Sequence, residues 1–382
     1  MEHQYSFKIY SKTEQLPDRW DTVANDNIFL QKIYLDVLEN SAPSNMVCNF
    51  IGIFKNQKLI AISISQFLDV NQLETFGNRD QCFKKTIRNF IFKNFSSHVL
   101  FIGNNMLTGQ NAIKIVDHEN TTLVMQMLKL AIDKLKNNFN KLGKKVHIIS
   151  FKDFDENQVK SLENSIFPNY YKFSTQPNMI FKIPDNWNSD ADYINALSKK
   201  YRDQYKRAHK KSIGVEKRKM NLEEIIKNEK IIYNLYLHVA KNAPFNTFFL
   251  PQNHFSVFKE KLKDKFLFYG YFIDNKLIGF NTLIKNNTSM ETYFLGYDES
   301  IQREKMLYLN MLYDMIAYSI KKGFHEIIFA RTALEIKSSV GAKPEKMFGI
   351  IQHSNSFLNK NMARIFNYLE PETIWQERNP FK

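Results

Sequence analysis

Glu291 and Tyr293 are the two side chains whose types and spacing best suit acid–base chemistry. They lie two residues apart in Met290–Tyr297 (METYFLGY), whose aromatic residues predict a β-strand, so both side chains face the same side of it. A carboxylate there could take the proton from an ammonium group, directly or through water, and make the amine a nucleophile. The alternative is a solvent-facing Glu on an edge strand, since spacing alone shows no buried environment.

Two cations follow the next predicted strand, His325–Ala330 (HEIIFA). Arg331 comes directly after this strand, where its guanidinium could clamp a carboxylate or a phosphate. Lys337 lies in a short predicted helix and could protonate a leaving group if burial lowered its pKa. It could instead bind an anionic part of a substrate, or be an ordinary solvated lysine.

A long amphipathic helix, Lys305–Lys322, connects the two strands and is closed by Gly323. A strand–helix–strand segment of this length is a βαβ crossover, and ligands gather at the carboxyl ends of the strands in such units. Arg303 and Lys305 could contact phosphates at the start of the helix, although exposed turn cations need no function. Gly296, at the end of the first strand, permits close approach of a ligand to the backbone, or simply ends an ordinary central strand.

Length and composition predict a two-domain protein of the cytoplasm. The chain has 382 residues, which exceeds one typical core. No apolar run approaches the roughly 20 residues of a membrane span, and the first residues lack a secretory signal pattern. Cys48 and Cys82 have no metal-ligand spacing, and His325 has no second His or Cys at such spacing, so no metal site is expected.

The net charge of +14 favours an anionic partner, although an AT-rich genome would also produce many lysines. Much of this charge lies in the predicted helix Ser189–Ser212, which includes Lys206 and Arg207. Like charges one helical turn apart repel, and phosphates of RNA or of a membrane could compensate. A solvated basic face is the alternative.

The two halves of the chain look like copies of one unit. Gly52–Ile60 and Gly270–Ile278 share Gly, Phe, Lys, Leu and Ile at the same offsets. Each such hairpin is followed by a strand, a long helix closed by Gly143 or Gly323, and another strand. A duplication explains this order, and the boundary is placed in the polar stretch before Pro177, giving domains 1–174 and 175–382.

The second half resembles the acyl-CoA N-acyltransferase (GNAT) superfamily. Its signature helix begins with the pattern Arg-x-x-Gly-x-Gly-x-x-Leu-Leu, in which Arg303 fits the Arg and Met311-Leu312 fit the apolar pair. The helix ends at Gly323, as it does in the family. Further on, Ala333 and Gly341 fit an Ala and a Gly of the family pattern.

Three positions depart from that pattern. Met306 and Tyr308 replace the two glycines of the pyrophosphate loop, and Lys337 stands at the position of the catalytic Tyr. Glycines let backbone N–H groups approach a pyrophosphate at a helix start, and larger side chains obstruct that approach. The usual manner of cofactor binding is therefore in question for this chain.

A tandem of two such folds, with the first copy degenerate and the second active, looks like the FemAB-like branch. That branch includes aminoacyl-tRNA-dependent peptidoglycan aminoacyltransferases and other acyltransferases, and its basic helix is similar to residues 197–215 here. The resemblance implies catalytic roles for Glu291, Tyr293 and Lys337. It implies substrate binding by Arg331, Lys206 and Arg207. The donor-binding residues that it implies are Phe294, Leu295, Gly296, Arg303, Lys305, Met306 and Leu307.

We therefore expect an α/β (α+β) protein of two tandem GNAT-like domains, each a mixed, mostly antiparallel sheet flanked by helices. The expected activity is N-acyl transfer to an amine, either a small molecule or a cell-envelope precursor, with acyl-CoA as co-substrate and no permanently bound cofactor. One alternative is an aminoacyl-tRNA donor. Another is a catalytically dead tandem fold that binds an anionic membrane or a nucleic acid through the basic helix. The sequence does not specify the oligomeric state.

Overall fold

The computed structural model describes residues 4–70, 96–163, 166–243, 246–369 and 375–382. The strands are β1 Tyr5–Tyr10, β2 Met46–Lys55, β3 Lys58–Asp69, β4 His98–Ile102, β5 Ile113–Ile115, β6 Ile148–Phe154, β7 Tyr171–Lys182, β8 Glu216–Lys219, β9 Phe266–Ile273, β10 Lys276–Asn286, β11 Ser289–Tyr297, β12 Glu326–Ala330 and β13 Lys343–His353.

The helices lie between these strands. They are α1 Trp20–Ala24, α2 Lys32–Ser41, α3 Thr121–Lys141, α4 Glu156–Glu163, α5 Asp190–Ala196, α6 Lys199–Lys211, α7 Leu222–Lys227, α8 Glu229–Lys241, α9 His254–Leu262, α10 Glu299–Lys305, α11 Leu307–Lys321, α12 Leu334–Ser339, α13 Ser356–Lys360 and α14 Met362–Leu369. Within the described ranges, no helix is both long and apolar enough to cross a membrane.

The first compact unit comprises Met1–Thr175, Pro244–Pro251 and Lys346–Glu372. Its sheet has the order β1-β2-β3-β4-β6-β13, and only the β4–β6 pair is parallel. Helix α3 covers one face with a row of buried apolar residues that includes Leu128 and Ile132. The amphipathic period of α3 explains this burial, because its apolar residues recur on one side.

The second unit comprises Gln176–Ala243, Gln252–Glu345 and Thr373–Lys382. Its sheet has the order β8-β9-β10-β11-β12-β7, again with one parallel pair, β11–β12. Helix α11 packs on one face, with Met311, Leu312 and Ile316 buried in the core. Helices α8 and α9 pack on the opposite face through aromatic side chains such as Phe255, which contacts Phe280 at 5.1 Å between ring centroids.

The first unit therefore contains a strand from the second half of the sequence. Strand β13, near the end of the chain, pairs with β6, whereas residues 179–182 of β7 pair with β12 of their own half. The predicted boundary after residue 174 falls inside β7, one residue before the break at Thr175. The polar stretch taken as a linker is thus part of a strand.

The repeated hairpins are alike in detail, which explains the repeated residues. Asn56 and Gln57 have φ values of 47° and 65°, and Asp274 and Asn275 have values of 46° and 61° at the corresponding turn. A Cβ at Gly52 would lie 3.0 Å from Leu59, as a Cβ at Gly270 would lie 3.0 Å from Leu277. Each Gly thus makes room for a Leu across the hairpin.

The helix predictions need three adjustments. The polar residues of 298–303 predict a turn, but most of this segment forms the separate helix α10, and the long helix begins at Leu307 rather than Lys305. The helix predicted for 189–212 is broken at Leu197, which forms a β-bridge with Phe381. The sequence also predicts a helix over 80–94, which lies outside the described residues.

Candidate active site in the second unit

The parallel strands β11 and β12 separate part-way along their length. They pair from Ser289 to Glu291, opposite Glu326 to Ile328, yet β11 continues to Tyr297. At the point of separation the Thr292 hydroxyl donates to the Ile328 carbonyl at 3.0 Å, so a side chain ends the ladder. The result is a gap between the carboxyl ends of two adjacent strands, where ligands of α/β units bind.

A β-bulge lies just beyond this point. Leu283 pairs with Thr292 and Asn281 pairs with Leu295, so Tyr293 and Phe294 together oppose one residue of β10, Thr282. The Thr282 hydroxyl donates to the Phe294 carbonyl at 2.5 Å. Both bulge side chains contact helices on the same face of the sheet. The Tyr293 ring lies 5.0 Å from Phe258 of α9, and the Phe294 ring lies 5.6 Å from Tyr236 of α8.

The backbone of β11 beyond the bulge presents amide groups to the gap. The Asp298 N–H donates to the Ile278 carbonyl of the hairpin partner. Because alternate residues of a strand point the same way, the N–H of Gly296 also faces β10, whereas those of Leu295 and Tyr297 face the gap. Two amides along one strand edge can pair with an amide-containing chain or stabilise an oxyanion.

Glu291 occupies the last paired position before the gap. Its neighbour Met290 is buried in the α11 core, so the Glu291 side chain points to the opposite face, the face of Tyr293. It is 7% exposed. Burial raises the pKa of Glu291 to about 8, assisted by the nearby Glu326 charge, although a hydrogen bond with the Asn286 side chain opposes the shift. A carboxyl group with this pKa exchanges its proton near physiological pH.

His254, at the start of α9, is a site residue that the sequence reading missed. Its side chain is fully buried, and its Nε2 lies 2.9 Å from the Tyr293 hydroxyl. The two residues are 39 positions apart and belong to no common motif. Only the packing of α9 on β11 brings them together.

Lys337 is buried behind the end of β12 rather than solvated. Its ammonium group donates to the carbonyls of Phe329, Ala330 and Arg331 at 2.5, 3.2 and 2.7 Å. The segment it holds includes Ala330 and Thr332 with φ of 58° and 69°, a conformation that costs non-glycine residues energy. Burial lowers the pKa of Lys337 to about 7. With three carbonyl acceptors around three N–H groups, the geometry favours a structural support over a free acid.

Arg331 follows directly and is also largely desolvated. Burial lowers the pKa of its guanidinium to about 10. The residue as a whole is half-buried, and it lies at the carboxyl end of β12. Arg331 is thus at the edge of the sheet where the sequence predicted it.

Lys206 and Arg207 are not brought together with Glu291. Both are exposed on α6, whose inner side packs on the α11 face through Tyr205, with 4.8 Å between the Tyr205 and Tyr313 ring centroids. Glu291 points to the other face of the sheet. If the basic helix binds a polymer or a membrane, it does so on a different side from the candidate base.

The corresponding region of the first unit has no such gap. There the parallel pair β4–β6 is paired up to Ile102 and Phe151, and β4 ends at Ile102. The Lys152 ammonium donates to the carbonyls of Asn104 and Leu107, which holds the following loop in place. The first unit also has a buried carboxyl, that of Asp153, but it pairs with the Lys152 ammonium.

No protein-family model matches the chain, and no curated protein matches it in sequence. Solved structures match it in fold. The crystal structure of FemX matches with a TM-score of 0.50 at 11% identity, over 89% of this chain and 93% of that chain. A tandem GNAT protein from the clavulanic acid biosynthesis pathway matches with a TM-score of 0.51 at 7% identity, over 92% of this chain and 99% of that chain. This chain has a tandem GNAT fold.

The GNAT fold predicted from the sequence is therefore confirmed, with the two sheets mixed and mostly antiparallel as expected. In this tandem GNAT fold, the predicted donor loop joins α10 to α11. Met306 there has φ 48° and ψ 41°, the left-handed conformation that glycine adopts most easily. The backbone thus keeps a glycine-like turn although the residue is Met.

The side chains around this turn make contacts within the protein. Leu307 is completely buried in the core, so only its backbone could contact a donor. Burial raises the pKa of the Tyr308 hydroxyl, consistent with a side chain packed inward. Arg303 is exposed and paired with Glu299 at 3.5 Å, and Lys305 donates to the Ile213 carbonyl at 3.4 Å.

Within the described ranges, no group of three or more His, Cys, Asp or Glu side chains could hold a metal ion.

Proposed function

We propose that the second unit transfers an acyl group from a thioester or ester donor to an amine. The observation that carries this proposal is Glu291: a buried carboxyl with a pKa of about 8, at the point where β11 and β12 separate. A base with a pKa near the working pH is effective, because it is ionised often enough and still binds a proton strongly.

The amine enters as an ammonium ion, and the Glu291 carboxylate takes one of its protons, directly or through water. The free nitrogen attacks the donor carbonyl, and a C–N bond forms. The carbonyl oxygen becomes an oxyanion, which the Leu295 and Tyr297 amides facing the gap stabilise. When the C–S or C–O bond of the donor breaks, the departing atom takes up the proton that the nitrogen loses.

The leaving group needs no strong acid if it is a thiolate, because an ordinary thiol has a pKa of about 8.5. This matters because the Lys337 ammonium already donates to three carbonyls. Tyr293 is the other candidate acid, and its hydroxyl is held by His254. We assign Lys337 to holding the strained end of β12, and Tyr293 to proton donation when the leaving group is an alcohol.

Two donors fit this site. Acyl-CoA is supported by the glycine-like turn at Met306, which preserves the backbone path of the family's pyrophosphate loop. Aminoacyl-tRNA is supported by the inward packing at Tyr308 and by the exposed cations of α6, including Lys206 and Arg207. Titrations with acetyl-CoA and with total tRNA over a salt series separate the two, because tRNA binding weakens steeply as salt rises.

The test of the transfer function is donor consumption in the presence of a panel of amines. Glu291→Gln keeps the shape and removes the base, so we expect kcat/KM to fall by about 10²–10⁴-fold. Glu299→Gln, at an exposed carboxyl of α10, is the matched control and should retain full activity. If Glu291→Gln and Lys337→Ala both left turnover unchanged with a confirmed donor, the proposal would be wrong.

A further inference from the structure

The outward side of helix α6 carries two parallel rows of cations. Residues that are seven and eleven positions apart along a helix lie on the same side of it, within about 40°. Two such sets lie next to each other on α6, and all six side chains are exposed: Lys199, Lys206 and Lys210 in one row, and Lys200, Arg207 and Lys211 in the other. Asp203 is the only acidic residue of the helix, so this side of α6 is strongly cationic.

The protein does not neutralise these charges itself. Within the described ranges, none of the six cations belongs to an ion pair, whereas exposed lysines elsewhere in the same unit do. Lys182 pairs with Glu345 at 2.9 Å, for example. Like charges one helical turn apart, such as those of Lys206 and Lys210, repel each other. An anionic surface placed against the two rows would relieve this repulsion.

The inward side of α6 explains why so basic a helix forms. Tyr201 and Ala208 are buried, and the side-chain amide of Asn310 on α11 donates to the Ala208 carbonyl at 3.0 Å. The Tyr205 ring packs on that of Tyr313. Packing against α11 therefore stabilises the helix, and the outward cations are held on a rigid support without contributing to the core.

An exposed aliphatic side chain follows the two rows. Ile213 is 72% exposed, and its N–H donates to the Lys210 carbonyl at 3.5 Å, so it lies one turn beyond Lys210. The turn that carries it is fixed, because the Val215 N–H donates to the Ser212 carbonyl at 2.8 Å and the Lys305 ammonium donates to the Ile213 carbonyl at 3.4 Å. An apolar side chain is thus presented to the solvent next to the cations.

We infer that the basic surface, which we define as the two rows together with Ile213, docks the protein on an anionic lipid bilayer. The lipid phosphates lie among the cations, and the Ile213 side chain enters the layer between the headgroups. Each basic residue at an anionic membrane raises the binding constant about fivefold, so two rows suffice for reversible binding. The inference does not depend on the proposed transfer, because the candidate base Glu291 lies on the other face of the sheet.

A bilayer fits the basic surface better than a nucleic acid does. Proteins that bind single-stranded nucleic acids combine cations with aromatic side chains on which the bases stack. The two tyrosines of α6 pack inward, and the exposed apolar residue is Ile213, which has no aromatic face. An aliphatic side chain surrounded by lysines is instead suited to the boundary between lipid headgroups and hydrocarbon.

Vesicle sedimentation with the full chain tests the inference. The vesicles consist either of phosphatidylcholine alone or of an equal mixture of phosphatidylcholine and phosphatidylglycerol. We expect binding to the anionic vesicles to be at least about tenfold tighter, and to weaken as salt is added. Equal binding to both kinds of vesicle, or binding to neither, overturns the inference.

Charge reversal locates the docking surface. The double variant Lys206→Glu with Lys210→Glu should bind anionic vesicles at least about tenfold more weakly. Lys227→Glu with Lys230→Glu makes the same change of charge at exposed lysines beside α8, on the opposite face of the sheet from α11, and should leave binding nearly unchanged. Melting temperatures show whether both double variants are folded. Equal weakening by both would mean that only the net charge matters, and would overturn the assignment to α6.

The substitution Ile213→Ser separates a bilayer from a nucleic acid. It should weaken binding to anionic vesicles about three- to tenfold, because an apolar side chain no longer enters the bilayer, and should leave the affinity for total tRNA unchanged. If Ile213→Ser has no effect on vesicle binding while the α6 double variant weakens vesicle and tRNA binding alike, the surface attracts any polyanion and the inference fails. Binding of tRNA without binding of anionic vesicles would assign the surface to a nucleic acid and would also overturn it.

Discussion

The Nε2 atom of His254 lies 2.9 Å from the hydroxyl oxygen of Tyr293, inside a cluster of aromatic rings. His254 is fully buried, and its ring also lies 5.0 Å from that of Phe258. This contact connects α9 to the bulge of β11, next to the candidate base. The contact with His254 restricts the direction of the Tyr293 hydroxyl.

We predict that His254→Phe destabilises the protein by about 1–3 kcal/mol, because it removes the hydrogen bond that the fully buried imidazole makes with the Tyr293 hydroxyl. His254→Gln keeps a polar partner and should cost less. The measurement is urea-induced unfolding, with a double-mutant cycle against Tyr293→Phe. A coupling of about 0.5–3 kcal/mol is expected for contacting residues, and strictly additive effects would contradict a direct interaction.

The pH dependence of transfer should follow the ionisation of Glu291. Because the base must be ionised, we expect kcat/KM to rise with pH and to level off above the pKa of about 8. In Glu291→Gln the residual rate should lose this inflection. A profile in the unsubstituted protein that levels off near pH 5 would show that another group acts as the base.

The raised pKa of Glu291 also predicts how the stability of the protein depends on pH. The folded pKa of Glu291, about 8, lies above the unfolded value of about 4.3, so the folded state holds more protons between these values. The stability that Glu291 contributes is therefore complete below about pH 4 and is lost as pH rises through 8. We expect Glu291→Gln to unfold at a higher temperature than the unsubstituted protein at pH 8, with a smaller difference at pH 5. Differential scanning calorimetry at both pH values measures this.

Lys337→Met should destabilise the second unit by at least about 3 kcal/mol, since three buried carbonyls lose a charged donor. Chemical denaturation measures the loss, and Lys276→Met at an exposed lysine is the matched control. If Lys337→Met is as stable as the control but inactive, Lys337 is a catalytic acid rather than a support for β12.

Met306→Gly should stabilise the protein by about 1 kcal/mol, because Met306 has a left-handed conformation that glycine adopts without strain. It should also open the turn before α11 and increase the thermal stabilisation by acetyl-CoA. Asn275→Gly relieves the same conformation in a distant hairpin and should raise stability without changing the acetyl-CoA effect. Equal acetyl-CoA shifts in both variants would argue against a donor site at Met306.

Features that depend on neighbouring residues were predictable from the sequence. The alternation of β11 placed Glu291 and Tyr293 on one face, and the repeated hairpin residues predicted two copies of one fold. Both follow from local periodicity, since a strand repeats every two residues and a tight turn restricts the residues that can form it.

Features that depend on distant pairing were decided by the tertiary structure. The bulge at Tyr293 requires β10 as the partner of β11, and the contact with His254 requires α9 to pack on that face. Lys337 and Leu307 resemble ligand-binding residues by their positions in the sequence. In the structure both side chains are buried, which favours a structural role for them.

The sequence by itself thus determined the type of fold, the order of its elements and the strand that carries the candidate base. Only the tertiary structure decided that β11 and β12 separate at Glu291 and that β13 pairs with β6 of the first unit. The physical reason is that local pattern sets the conformation of each segment. Burial, pKa and strand partners, in contrast, are properties of neighbours that are distant in sequence.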